Sequence, residues 1–168
     1  MSRKQKRKKE PDPVKLELGY TDISKLRKYP WLWADGSVAE CTITDVFHYI
    51  PARERASFMD ELYRVLVVGG KATMITAYYS TAMAIADFNL EWPPICEQSY
   101  LYFNREWREN NKLPYKINAD YDFTYGYLLV PDVAGRSNEV QTFQVRSYLN
   151  TVQRLQVALV KRAPVRPN

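Results

Sequence analysis

The chain has one histidine, His48, close behind a β-branched run, Val38 to Val46, and directly before Tyr49-Ile50-Pro51. A neutral imidazole at a strand end can take a proton from a nucleophile, which makes His48 a candidate general base. A polar residue at a strand terminus can equally spend its ring on a backbone partner, and that is the preferred reading. Cys41 and Cys96 stand alone and far apart, with neither metal-ligand spacing nor a disulfide framework, so both read as reduced thiols and no metal is expected. Arg3, Lys4, Lys6, Arg7, Lys8 and Lys9 crowd the first ten residues against Glu10 alone, and they account for the whole net charge of +5. Such a run attracts phosphates with steep salt dependence and is a candidate nucleic-acid contact; it reads equally as a solubilising tail or an arm used on assembly.

The elements that must position these groups centre on residues 35 to 76. Val38 to Val46 suits a buried strand. Pro51 fits a first helical position, where its missing N–H goes unmissed. Beyond it, Phe58, Leu62, Val65 and Leu66 recur at helical spacing, opposite Arg53, Glu54, Arg55, Asp60, Glu61 and Arg64, which are expected to face water. Gly69-Gly70 is expected to end that helix and turn the chain into Lys71 to Thr76, a second strand. The result is a βαβ unit, whose crossover is right-handed. Val14 to Gly19 alternates like a further strand, and Ser24 to Trp33 reads as a loop. Tyr78 to Ile95 forms a long loop beyond a strand end, the expected lid over a ligand. Later segments read as a helix (Glu97 to Asn110), a strand or a strand and bend around Gly126 (Ile117 to Val130), a helix (Asn138 to Asn150) and a closing strand (Leu155 to Val160).

At 168 residues, 46% hydrophobic and 26% charged, the chain suits one globular domain with a real core. The expected division is a basic, disordered tail (1–13), one α/β domain (14–162) and a Pro-rich end (163–168). No secretory leader or membrane-spanning stretch is expected, and a cytosolic location is the default.

The ordered segments "DGSVAE", "VFHYIP" and "FMDELYRVLVVGGKATMIT", with "KYPW" upstream and "EWPPICEQS" downstream, resemble the second half of class I S-adenosylmethionine-dependent methyltransferases, most closely small phage-type members; a phage-encoded copy would work in the host cytoplasm. The resemblance implies a Rossmann-like α/β fold with a mostly parallel sheet, flanking helices and a last strand inserted antiparallel. Glu17 and Gly19 match the acid and first glycine of the family's cofactor loop, and Tyr20-Thr21-Asp22-Ile23 is similar to the later segment whose aspartate meets the adenine. Between them the remaining glycines, the first helix and the second strand are missing, so the implied fold is a reduced one short of the main cofactor cradle.

If S-adenosylmethionine is bound, the resemblance and strand-end position put Glu17, Gly19, Asp22 and Asp45 around it. His48 would then stand at the mouth, with Tyr49, Trp92, Tyr100 and Phe103 facing the methyl acceptor. Trp92-Pro93-Pro94-Ile95 superficially resembles the Asp/Asn-Pro-Pro-aromatic signature of amino-group methyltransferases, but it follows the wrong strand without the leading Asp or Asn, and reads as a rigid aromatic corner. Two functions are therefore open. One is methyl transfer from S-adenosylmethionine to an unidentified acceptor. The other is a non-catalytic interaction module or accessory subunit that binds nucleic acid or a partner protein, or pairs with a second copy at the exposed sheet edge.

Overall fold

The computed structural model describes residues 14–164. Its sheet has five strands: β1 (Val14–Leu18), β2 (Val38–Thr44), β3 (Leu66–Ala77), β4 (Tyr121–Leu129) and β5 (Val152–Lys161), in the order β1-β2-β3-β5-β4. β1, β2 and β3 run parallel, and β5 inserts antiparallel between β3 and β4. Between the strands lie α1 (Ile23–Leu26), α2 (Ala52–Val65), α3 (Arg105–Asn110), α4 (Pro131–Ala134) and α5 (Asn138–Ser147). No described helix is long and apolar enough to cross a membrane. The basic run Arg3 to Lys9 lies outside the described residues.

α2 forms where its apolar spacing places it. Phe58, Met59, Leu62 and Val65 are all fully buried, each contributing about 1.5–3 kcal/mol of burial. Gly69-Gly70 does not end this helix, contrary to the sequence reading. The chain is already extended at Leu66, whose side chain is fully buried, and it enters β3 at once. The glycines instead serve a bulge inside β3: Leu66 pairs with Val38 but Lys71 pairs with Glu40, so β3 spends three extra residues there. Gly69 takes φ +75°, and a Cβ on Gly70 would come within 2.8 Å of the Val67 carbonyl oxygen.

The stretch read as one helix from Glu97 is a 3-10 segment (Glu97–Phe103) followed by α3. It breaks at Asn104, whose side chain accepts from the Trp107 amide (2.9 Å) and donates to the Tyr121 carbonyl (3.0 Å). Of the two readings of the Ile117 to Val130 segment, the plain strand holds: β4 continues through Gly126.

The sheet is covered on one face. β1 to β2 and β2 to β3 step the same way across it, so right-handed crossovers put both connections on the same side. On that side the row Cys41, Ala72 and Leu159 is buried. On the other side the row Glu17, Thr42, Thr73, Ala158 and Thr124 crosses all five strands with its residues exposed or half-buried, and no described element covers it. Parallel strands are ordinarily buried on both faces.

Candidate functional site

The carboxyl ends of β1, β2 and β3 meet at one edge, the position at which ligands bind in open α/β sheets. β1 runs into Gly19 and a 3-10 turn, Tyr20–Asp22. The Asp22 carboxylate folds back to accept the Gly19 amide (3.1 Å), while the Asp22 amide donates to the Gly19 carbonyl (2.9 Å). Lys25 is the other partner of that carboxylate, at 3.5 Å. Glu17 is exposed, on the uncovered face of the sheet opposite Thr42.

β2 ends at Asp45, which takes φ +53°. Its carboxylate is gripped at both oxygens by Arg154 of β5, at 3.1 and 2.9 Å. The next turn, Phe47–Tyr49, buries His48. The Nδ1 of His48 accepts the Ala77 amide over 3.4 Å, which leaves its proton on Nε2, and the His48 carbonyl accepts the Glu91 amide at 3.0 Å. Burial pushes the imidazole down to about 4; Asp45 and Asp87 oppose this, whereas Arg154 and Arg55 add to it. This is a histidine with a backbone partner that stays neutral at ordinary pH.

Tyr49 donates its hydroxyl to Asp87 (2.9 Å) and meets the Tyr20 ring edge-on at 4.9 Å. Burial and the Asp87 carboxylate push the Tyr49 phenol up to about 12. The Asn89 amide and the Tyr49 hydroxyl hold Asp87 below the ordinary carboxylate range. An open cleft of about 480 Å³ lies here, lined by Tyr20, Ile23, Arg27, Tyr49, Phe88 and Glu91 among others.

The lid is pinned from below. Arg55, expected on the water-facing side of α2, is instead buried, because its guanidinium is spent on backbone carbonyls beneath the Glu91–Pro94 corner. Arg55 of α2 donates to the carbonyls of Ile50 (3.0 Å), Pro93 (2.7 Å) and Glu91 (2.8 Å), with no carboxylate among these partners. Trp92, beside the pin, is 77% exposed and joined to Pro93 by a cis peptide bond. Tyr100 and Phe103 are buried in the core against Phe47, at 0% and 5% exposure, away from the Tyr49 cleft.

A second cleft, of about 600 Å³, lies between the ends of β3 and β4 and α5, lined by Tyr78, Tyr79, Glu97, Tyr125, Tyr127 and Arg146 among others. Tyr78 donates to Glu97 (3.1 Å), and burial, followed by the neighbouring Tyr127 and Glu97, raises its phenol pKa. Sequence reasoning passed over this group. Its signal was the pair Tyr125 and Tyr127 at strand spacing, aimed at one face.

The structure thus brings Gly19, Asp22, Asp45, His48 and Tyr49 to one edge and leaves Glu17, Tyr100 and Phe103 out of the Tyr49 cleft, although Phe103 lines a separate one of about 300 Å³ with Phe47, Arg55 and Pro93. Of the groups expected to hold S-adenosylmethionine, Gly19 and Asp22 are spent on each other, Asp45 on Arg154, and Glu17 lies on the uncovered sheet face, so the residues present do not fit the cofactor as they stand. No cluster of His, Cys, Asp or Glu among the described residues is arranged to hold a metal ion.

No protein-family profile and no curated protein matches the sequence. Solved structures do. The fold superposes on a chain of the "complex between the Haloferax volcanii Trm112 methyltransferase activator and the putative methyltransferase" with a TM-score of 0.53, at 11% identity over 93% of this chain and 85% of that one. It superposes on a SAM-dependent methyltransferase from Archaeoglobus fulgidus with a TM-score of 0.54, at 9% identity over 83% of this chain and 64% of that one. At these identities the likeness establishes the fold. It is the α/β fold of S-adenosylmethionine-dependent methyltransferases, with a mixed five-stranded sheet and an antiparallel last strand.

Proposed function

We propose that the chain is a methyltransferase-fold subunit that does not transfer methyl groups from S-adenosylmethionine on its own, and serves as an accessory or interaction module. The carrying observation is the closure of Asp22 on the Gly19 amide directly after β1. In the family pattern the backbone at that point approaches the cofactor, whereas here a three-residue turn consumes its donor. The two-pronged Asp45–Arg154 pair and the uncovered sheet face support the same reading. The Haloferax volcanii neighbour, solved with an activator protein, offers a precedent for this fold working beside a partner.

Methyl transfer by the chain itself is the second reading, favoured by the cleft of about 480 Å³ at the carboxyl ends of β1 and β2. Isothermal titration with S-adenosylmethionine and S-adenosylhomocysteine separates the two readings. The wild-type protein is expected to give no heat. Micromolar binding that disappears in Glu17→Ala/Asp22→Ala would overturn the proposal and install the enzymatic reading, with Trp92 and Tyr49 as the first acceptor-side residues to test.

The basic run Arg3 to Lys9 extends the module reading to nucleic acid. Binding to single-stranded RNA or DNA is expected to weaken by about tenfold or more between low and physiological salt and to vanish when the six basic residues are replaced by glutamine. Salt-independent binding, or binding that survives the replacement, would remove the tail from the interface.

A further inference from the structure

We infer that β1 is a self-pairing edge, and that two copies of this chain join antiparallel through it into one continuous sheet. The inference names the partner left open above; it rests on that reading for its purpose and on the strand for its geometry. Among the described residues nothing pairs with the outer side of β1. The Val14 amide donates inward, to the Ser37 carbonyl (2.8 Å). By the two-residue alternation of a strand, Lys15 and Glu17 therefore turn their N–H and C=O groups outward.

The sequence of the strand, Val-Lys-Leu-Glu-Leu, is complementary to itself when reversed about Leu16. Lys15 then stands opposite Glu17 of the second copy, and Glu17 opposite Lys15 of the second copy. These are the residues whose backbone groups face outward, so each pair exchanges two backbone hydrogen bonds and sets opposite charges side by side. On the other face Leu16 meets Leu16 of the second copy, and Val14 meets Leu18 of the second copy. Leu16 and Leu18 already pack against the core yet remain half-buried, and Val14 is 47% exposed, so the apolar side of the edge is unfinished in the single chain.

Register is specified by charge. Sliding the copies by one pleat in either direction sets Lys15 against Lys15 or Glu17 against Glu17, and like charges directly opposite repel. Even-numbered spacing also keeps both helical layers on one side, so the uncovered face continues unbroken across the pair. Charged residues on an edge ordinarily discourage pairing; here the pattern of charge favours the centred register over its two neighbours. Within a chain Lys15 also bonds Glu40 at 2.6 Å, which places it between two carboxylates in the pair.

The test is sedimentation equilibrium of the full-length protein over a roughly hundredfold concentration range, because an edge pairing of this length gives a concentration-dependent dimer. Wild type is expected to approach twice the 19.7 kDa mass of the chain. Lys15→Glu and Glu17→Lys, each alone, set like charges opposite and are expected to weaken the dimer by about tenfold or more. The double variant Lys15→Glu/Glu17→Lys is expected to dimerise again, and mixing the two single variants is expected to yield a heterodimer. Rescue by mixing cannot come from a merely damaged fold. A wild-type monomer throughout, or a dimer indifferent to single charge reversal, overturns the inference. The outcome is separable from the cofactor titration: a dimer that binds S-adenosylmethionine keeps the edge and removes the non-catalytic reading, and a monomer that binds none does the reverse.

Discussion

Replacing Arg55 by alanine is expected to lower folding stability by about 3 kcal/mol, among the larger effects that a single substitution produces. Arg55 is 9% exposed and spends its guanidinium on the backbone carbonyls of Ile50, Pro93 and Glu91. Its charge lies 5.8 Å over the Phe47 ring. Removing it strips partners from three carbonyls at once and opens a void beside Phe47. Arg55→Lys keeps the charge but cannot point three donors at three separated acceptors, so it is expected to recover less than half of the loss. Urea denaturation measures both variants, with a fall in melting temperature of roughly 6–12 °C expected for the alanine form. A loss under about 1 kcal/mol would show that the Glu91–Pro94 corner is held by other contacts. Because the Glu91 amide also bonds the His48 carbonyl, the alanine variant is further expected to be cut by proteases near Trp92.

The second large effect is a loss of stability in mild acid, traced to His48. Its folded-state value is depressed from the ordinary 6.5 to about 4 by burial. The unfolded chain therefore takes up a proton in this window that the folded chain refuses, and stability falls as pH falls. The contribution is complete above the unfolded value, is lost progressively between 6.5 and about 4, and is gone below the folded value; its full size is about 3 kcal/mol. Glu54, Glu61 and Asp87, whose paired carboxyls are also depressed, begin to cost stability only below the ordinary carboxylate values. His48 is the sole histidine, so the upper part of the window belongs to it. His48→Gln retains an acceptor for the Ala77 amide and is expected to flatten the pH dependence there. A slope that survives in the variant would assign the loss to other groups, and a histidine proton resonance of the wild type that titrates near 6.5 would place the ring in water.

The central βαβ unit was legible because its signals are local: a β-branched run, and then Phe58, Leu62 and Val65 at helical spacing, all of which turn inward. The antiparallel last strand was legible through the family resemblance. Gly69-Gly70 was misplaced because a glycine pair after an apolar helix reads alike as a cap or a bulge, and only the pairing of Leu66 with Val38 decides between them. The two pairings that close the candidate site differ in the same way. Gly19 and Asp22 are three residues apart and carry a local cap signal, whereas Asp45 and Arg154 are separated by 109 residues and meet only because β5 inserts beside β3. That strand order also gathers Tyr78 and Tyr79 with Tyr125 and Tyr127; the spacing of the latter pair aims both at one face, but no local pattern says what they meet there. The bare sheet face was not legible from composition, since it follows from the direction in which successive strands are laid down.

The insertion of β5 between β3 and β4 bears on the birth of the protein at the ribosome. Of the described strands β5 is synthesised last, yet it occupies an interior place. Until it emerges, β3 has no neighbour on one side, β4 has none at all, and Tyr121 and Met74 lack the layer that finally encloses them. The nascent chain therefore carries β3 open on one side from Ala77 onward and β4 unpaired late in that interval, a state open to chaperones and to misassembly, and it closes when β5 clasps the two together.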